Sequence, residues 1–215
     1  AVTHEFSKRK NIDDYFQSNV ISLKNLIDYA QLNNVNMIIN LSTISIYGTV
    51  EKNILDEKYL PKNQDLLGVT KLLAEQILKQ NKINFINIRL PGILCKMNKK
   101  NIPRPWLNLV LNKIKKNQRI DIYNLRSKFN NVVDTDEIAK FIKFLIKKNI
   151  KIRDVFNFAC SKPIILKKVL NIAKSKLNSK SKIVEIKNKK NNSFIISTKK
   201  LEKKLNYKTQ PTDIT

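Results

Sequence analysis

The chain has 215 residues, of which 42% are apolar, and a formal net charge of +25. That length suits one domain, or one domain with a small appendage, and can bury a substantial core. No apolar run approaches the roughly 18 residues that span a bilayer, and the opening AVTHEFSKRKN lacks the apolar stretch of a signal peptide. The expectation is a chain with no membrane contact, working in the cytoplasm. Cys95 and Cys160 have no metal or redox spacing, which agrees with a reducing compartment. His4 is the only histidine, and a lone histidine makes no metal site by itself, so no metal is expected.

The excess of positive charge invites a nucleic-acid reading. Lysine, asparagine and isoleucine are abundant along the whole chain, as AT-biased coding would produce. Short lysine clusters occur at Lys99-Lys100, at Lys187 with Lys189-Lys190, and at Lys203-Lys204. No arginine-rich stripe with interleaved aromatics accompanies them, so nucleic acid is not the favoured partner. A positive field would still attract an anionic nucleotide.

Taken in chain order, Ala1-Val2-Thr3-His4 reads as the tail of a buried strand entering a loop, so the chain is expected to be truncated at its N-terminus. Phe16, Val20, Leu23, Ile27 and Ala30 recur at helical spacing. Residues 37–41 form a short, mostly apolar strand ending in Ser42 and Thr43. Leu66, Val69, Leu73 and Ile77 predict a helix over 66–80, and 85–90 a second strand. Pro91-Gly92 then breaks the chain. Trp106, Leu109, Val110 and Ile114 mark a further helix, with Pro103 and Pro105 at its start. Residues 120–123 and 131–133 read as strands. Asp134-Thr135-Asp136 opens an amphipathic helix over 138–146 with an acidic first turn. A strand at 155–158, a helix at 164–177, a strand at 183–186 and a short helix at 198–205 complete the series. Residues 178–182 and 187–192 are polar and basic, as solvated surface would be. The alternation predicts an α/β fold: a partial, doubly wound Rossmann-type parallel sheet and a small C-terminal α/β region.

Several segments bear chemistry. The strand ends in Ser42-Thr43-Ile44-Ser45-Ile46-Tyr47-Gly48, and Leu67-Gly68-Val69-Thr70-Lys71 follows, 24 residues separating Thr43 from position 67. Asn19-Val20, Arg89-Leu90-Pro91-Gly92, Val132 to Asp136, and Lys200-Leu201 through Leu205-Asn206-Tyr207 add four more matches in the same order. Together they resemble the extended short-chain dehydrogenase/reductases of the NAD-dependent epimerase/dehydratase family, which modify nucleotide-sugars. The resemblance runs from near residue 1 to near residue 210.

It implies a dinucleotide-binding part over residues 1–92. Residues 93–215 would be mainly substrate-binding, with some segments returning to the sheet. It implies NAD or NADP, a nucleotide-sugar substrate, and a homodimer formed by the helices near 13–33 and 66–80. A parent enzyme of surface-polysaccharide synthesis would fit. Thr43 would hydrogen-bond the reacting oxygen. Lys71 would hold the cofactor ribose and supply positive charge. Asn19 would support its helix and a water near that lysine. Leu90, Pro91 and Gly92 would border the nicotinamide.

Two departures stand against this pattern. Position 67, where a catalytic tyrosine is expected, is Leu67, and an isobutyl group neither donates nor accepts a proton. Standard proton transfer should then be absent. Tyr47 and Tyr59 are the nearest phenols in sequence, but neither spacing predicts hydrogen-bond reach. The glycine-rich loop that cradles a dinucleotide pyrophosphate has no counterpart, because Gly48, Gly68 and Gly92 are the only glycines. Taken alone, Thr43 also reads as a hydroxyl bonding local backbone, Asn19 as a polar residue on an exposed helix face, Lys71 as a solvated lysine and Tyr47 as a structural aromatic. A catalytically impaired enzyme chain and a non-catalytic binding relative both remain open.

Overall fold

The computed structural model describes residues 11–94, 105–186 and 193–211. The strand tail expected at 1–4, His4, Cys95, Lys99-Lys100 and the basic stretch 187–192 lie outside the described residues. A helical segment comes first: α1 (Ile12–Phe16), a π-turn (Gln17–Ile21) and α2 (Ser22–Leu32). Asn11 and Asp14 bond each other's backbone amides at its start, satisfying two otherwise orphaned donors. There follow β1 (Met37–Thr43), a 3₁₀ turn (Ile44–Tyr47), β2 (Ile54–Leu55), α3 (Leu66–Gln80), β3 (Asn84–Leu90) and β4 (Gly92–Leu94). The second half contains α4 (Pro105–Lys115), β5 (Ile120–Ile122), β6 (Lys128–Phe129), β7 (Val132–Asp134), α5 (Thr135–Lys147) and β8 (Arg153–Asn157). It ends with β9 (Ile164–Ile165), α6 (Leu166–Lys176), β10 (Ile183–Glu185), β11 (Ile195–Ile196) and α7 (Lys199–Leu205).

The central sheet is parallel, in the order β1-β3-β8. Alternate residues of β3 serve its two faces. Ile86, Ile88 and Leu90 pack with Ile138, Phe141 and Leu145 of α5 and with Leu201 and Leu205 of α7. Phe85 packs the other way, with Leu23 and Ile27 of α2 and Ala74 and Leu78 of α3. Helices on both faces of a parallel sheet make the Rossmann-type α/β arrangement expected from the sequence. Each fully buried side chain of this size contributes about 1.5–3 kcal/mol, so the two apolar layers set the sheet between its helices. The register places Thr43 beside Leu90 and Ser42 beside Arg89.

The remaining strands pair as β4-β7, β5-β10 and β2-β11, all parallel, and β6-β9, antiparallel. In two of these pairs, β2-β11 and β6-β9, each strand holds two residues, too few for a periodic pattern to reveal. The expected helix over 164–177 begins at Leu166, because Ile164 and Ile165 pair with β6. The acidic first turn of α5 is present, with Asp134 as its cap accepting from the Asp136 amide at 2.8 Å. Every described non-glycine residue with positive φ is an asparagine, and five of these (Asn34, Asn117, Asn149, Asn178 and Asn206) lie just past helix ends. In a glycine-poor chain asparagine takes over the left-handed position that closes a helix.

Gly68 shows why the first turn of α3 can sit so close to the end of β1. A Cβ there would lie 2.3 Å from the Ser45 carbonyl oxygen. Helix propensity alone favours alanine over glycine by about 1 kcal/mol. Overpacking of this kind costs about 1–3 kcal/mol, so Gly68→Ala should lower stability. A melting temperature measured by circular dichroism should fall by several degrees; an unchanged or higher one would mean that α3 does not approach Ser45 this closely.

Candidate functional site

The C-terminal end of β1 and the first two turns of α3 define the site. Thr43 has extended backbone, and its Oγ1 accepts a hydrogen bond from the Ser45 amide at 3.1 Å. The local backbone contact anticipated for this hydroxyl is therefore made; it also starts the 3₁₀ turn. Asp65 caps α3 by accepting from the Gly68 amide at 2.7 Å, which sets the helix start beside that turn. One turn on, the Lys71 ammonium donates to the Leu41 carbonyl oxygen at 3.0 Å. Lys71 is only 7% exposed, so it is not a solvated surface lysine. Burial pulls its pKa below the ordinary lysine value, and the nearby Glu75 carboxylate opposes that shift. Lys71 thus bonds the backbone of β1 two residues before Thr43, at the same end of the strand.

Asn19 lies in the π-turn and is buried, contrary to a place on an exposed helix face. Its Nδ2 donates to Thr70 Oγ1 at 3.1 Å, and that hydroxyl donates to the Leu66 carbonyl at 2.7 Å. The asparagine therefore joins the first helical segment to α3 at the residue before Lys71. Leu67 is buried against Tyr15 of α1, in an apolar contact that asks for no hydrogen bond. Leu90, Pro91 and Gly92 are buried as well. Gly92 pairs with Val132, and its amide donates to the Asn131 carbonyl at 3.1 Å.

Beneath these residues, between α3 and the sheet, lies a polar cluster. Ser42 donates to Glu75 Oε1 at 2.5 Å. Arg89 donates through Nη2 to Glu75 Oε2 at 2.6 Å and through Nε to both carboxylate oxygens. Its Nη1 donates to the Tyr47 phenol at 2.9 Å, and that phenol donates to Asn157 Oδ1 at 2.6 Å. Tyr47 is fully buried, and its pKa is pushed up to about 12 by burial, with Arg89 acting in the opposite direction. Tyr59 is likewise engaged: its oxygen accepts from the Glu51 amide and donates to the Thr49 carbonyl. Both phenols are thus engaged in hydrogen bonds within the protein.

Sequence reasoning did not find Glu75, and it named Arg89 only within the Arg89-Leu90-Pro91-Gly92 match, without a role. The signal was present: Glu75 falls among Leu67, Lys71, Ala74 and Leu78 on the buried face of α3, and Arg89 in a strand otherwise made mostly of buried apolar residues. Charges in such places must be paired. Among the described residues no group of three metal-ligating side chains converges, and no helix is long and apolar enough to cross a membrane.

With this geometry in place, the comparisons with known proteins give a family. A model of the NAD dependent epimerase/dehydratase family matches residues 1–159, and the chain belongs to that family. Among solved structures it is similar to the UDP-Glc/GlcNAc 4-epimerase of Campylobacter jejuni, at 17% identity and a TM-score of 0.76, over 100% of this chain and 71% of that one. It is similar to the UDP-N-acetylglucosamine 4-epimerase of Bacillus cereus at 21% identity and a TM-score of 0.73, over 96% and 71%. The Bordetella bronchiseptica enzyme WbmG, solved in complex with NAD, gives 15% identity and a TM-score of 0.75 over 96% and 66%. At these identities the likeness is one of fold, and the chain spans about two thirds to seven tenths of their length. No curated protein sequence matches it.

The buried Tyr47 phenol ties stability to alkaline pH. A phenol whose folded pKa is raised contributes stability that is complete below its ordinary value near 10, and that is lost as pH climbs through about 12. Denaturation measured at pH values across that window should show stability falling, and Tyr47→Phe should flatten the fall. Tyr207, raised by burial and by Glu137, leaves a residual slope. An identical slope in the variant would show that Tyr47 is not held neutral.

Proposed function

We propose that this chain belongs to an NAD(P)-dependent nucleotide-sugar epimerase, dehydratase or reductase, impaired in proton transfer at position 67. Its parent would act in the cytoplasm, in the synthesis of surface polysaccharide. The convergence of Thr43 and Lys71 at the end of β1 carries this proposal. Residues 1–92 serve the cofactor and 93–215 mainly the substrate, with β8 returning to the sheet beside β3.

The cofactor, when bound, supplies a hydride acceptor and donor. Lys71 is suited to hold its ribose, because its buried ammonium sits at the strand end and can donate to a hydroxyl. The buried Leu90-Pro91-Gly92 segment, next to Thr43 in the register, would border the nicotinamide. Thr43 would orient the reacting sugar hydroxyl. Asn19 would hold α3 in place through Thr70. A cradle for the pyrophosphate is not among these residues, since Gly48 closes the 3₁₀ turn, Gly68 lies in α3 and Gly92 in β4, so this chain alone should bind NAD(P) weakly or not at all.

A second reading is specifically favoured by Leu67. Its side chain is accommodated against Tyr15 without a polar orphan, as a site kept for binding a nucleotide-sugar without turnover would be. Calorimetric titration with UDP-glucose and with UDP-N-acetylglucosamine tests the shared part of both readings. Binding without NADH formation is the expected outcome for the natural chain supplied with NAD. In the full-length parent, Leu67→Tyr should raise NADH formation by about a hundredfold or more, the usual worth of a placed acid or base. Turnover by the parent before that change would overturn the account of position 67. Binding to DNA with a steep salt dependence, and none to UDP-sugars, would replace both readings with a nucleic-acid one.

We also propose a homodimer through α2 and α3. Leu26, Tyr29 and Leu32 of α2 and Leu66, Val69 and Leu73 of α3 are all exposed apolar side chains, an arrangement that marks an interaction face. Sedimentation should give a dimer whose dissociation is promoted by Val69→Glu. A monomeric natural chain would remove the proposal.

A further inference from the structure

Three of the residues proposed for the site stand beside a member of one buried polar cluster. Thr43 follows Ser42, Leu90 follows Arg89, and Lys71 lies one helical turn before Glu75. We infer that Glu75 is the positioning residue of this site: its carboxylate holds the Thr43 hydroxyl, the Lys71 amine and the Leu90–Gly92 backbone together at one end of the sheet. The inference deepens the proposed nucleotide-sugar site and rests on that proposal for the roles of those residues.

The bonds support it directly. α3 is fastened to β1 at two consecutive residues, by Lys71 to the Leu41 carbonyl and by Ser42 to Glu75. Two such bonds fix both the rotation of the helix and its position along the strand. The same carboxylate takes two Arg89 nitrogens, which fastens β3 one residue before Leu90. The third arm of Arg89 reaches Tyr47, which closes the turn that begins at Thr43. One anion therefore joins the ends of β1 and β3 to α3.

Stability alone does not ask for this arrangement. Replacing a buried ion pair by well-packed apolar groups is often neutral or stabilising. Ala74, next to Glu75, and Leu78, one turn further along, meet the same sheet through Ile38 and Phe85, with no charge. Apolar contacts are non-directional, whereas hydrogen bonds weaken steeply away from their preferred geometry. The polar cluster occurs where the sites of Thr43, Lys71 and Leu90 must be held in register.

The test reads Lys71 without any ligand. The chain is labelled with carbon-13 at lysine Cε, and the Lys71 signal is assigned by its loss in Lys71→Arg. The charged and titratable groups around it are Glu75 on its own helix, Arg89 and Tyr47 through Glu75, and Tyr15 packed on the turn before it. In Glu75→Gln the signal should titrate at lower pH than in the natural chain, and Glu75→Asp should restore most of the difference. Ser42→Ala should move the signal while the melting temperature changes by only a few degrees. If Glu75→Gln fails to fold, Ser42→Ala and Glu75→Asp decide by the same signal. Folded variants whose Lys71 signal keeps its position and midpoint would overturn the inference. Failure of the natural chain to bind UDP-glucose would sink the substrate proposal and leave this result standing.

Discussion

A carboxylate buried between a strand-end hydroxyl and a guanidinium governs this end of the molecule. Glu75 and Arg89 are almost wholly removed from water, with the side chains 2% and 10% exposed. Neither charge could remain there alone. Removing one partner of such a pair commonly costs about 3–5 kcal/mol, because the other stays buried and unpaired. The bidentate geometry suits arginine, whose planar fork matches a carboxylate. Everything placed near that pair inherits its position: the last residues of β1, the second turn of α3, and the chain leaving β3.

The site above the pair is electrostatically lopsided. It has a buried ammonium and a threonine hydroxyl, while position 67, one turn before the ammonium, carries an isobutyl group packed against the Tyr15 ring. In a complete site of this family a phenol would share that space, and the ammonium would lower its pKa. Without the phenol, the ammonium donates to a backbone carbonyl. That bond uses one of the three ammonium donors.

Most of the fold was legible before the structure. Leu66 to Gln80 reads as a helix from the spacing of its apolar side chains, and Phe85 to Leu90 as a strand, which the structure begins one residue earlier, at Asn84. The α5 start was legible from Asp134 to Asp136, since an acidic first turn complements the helix dipole. The π-turn around Asn19 was not, because an extra backbone residue in a helical turn leaves no compositional mark. The two-residue strands were too short to repeat. Thr43 and Lys71 were picked out through the motif in which they stand, and Asn19 through a dipeptide match. Glu75, and the role of Arg89 beyond its motif, escaped because each looks ordinary in its own segment; their meaning comes from a partner 14 residues away.

The sequence by itself determined the alternation of helix and strand, the family, the absence of a glycine-rich loop, and the presence of leucine at position 67. These follow from residue identity and local spacing, which are properties of the chain in any conformation. Only the tertiary structure decided that the Lys71 ammonium is buried and bonded to β1, that Asn19 serves Thr70, that Tyr47 is locked neutral under the sheet end, and that Tyr15 lines position 67. Each of those depends on which groups exclude water from which others, and that is settled when distant segments pack together.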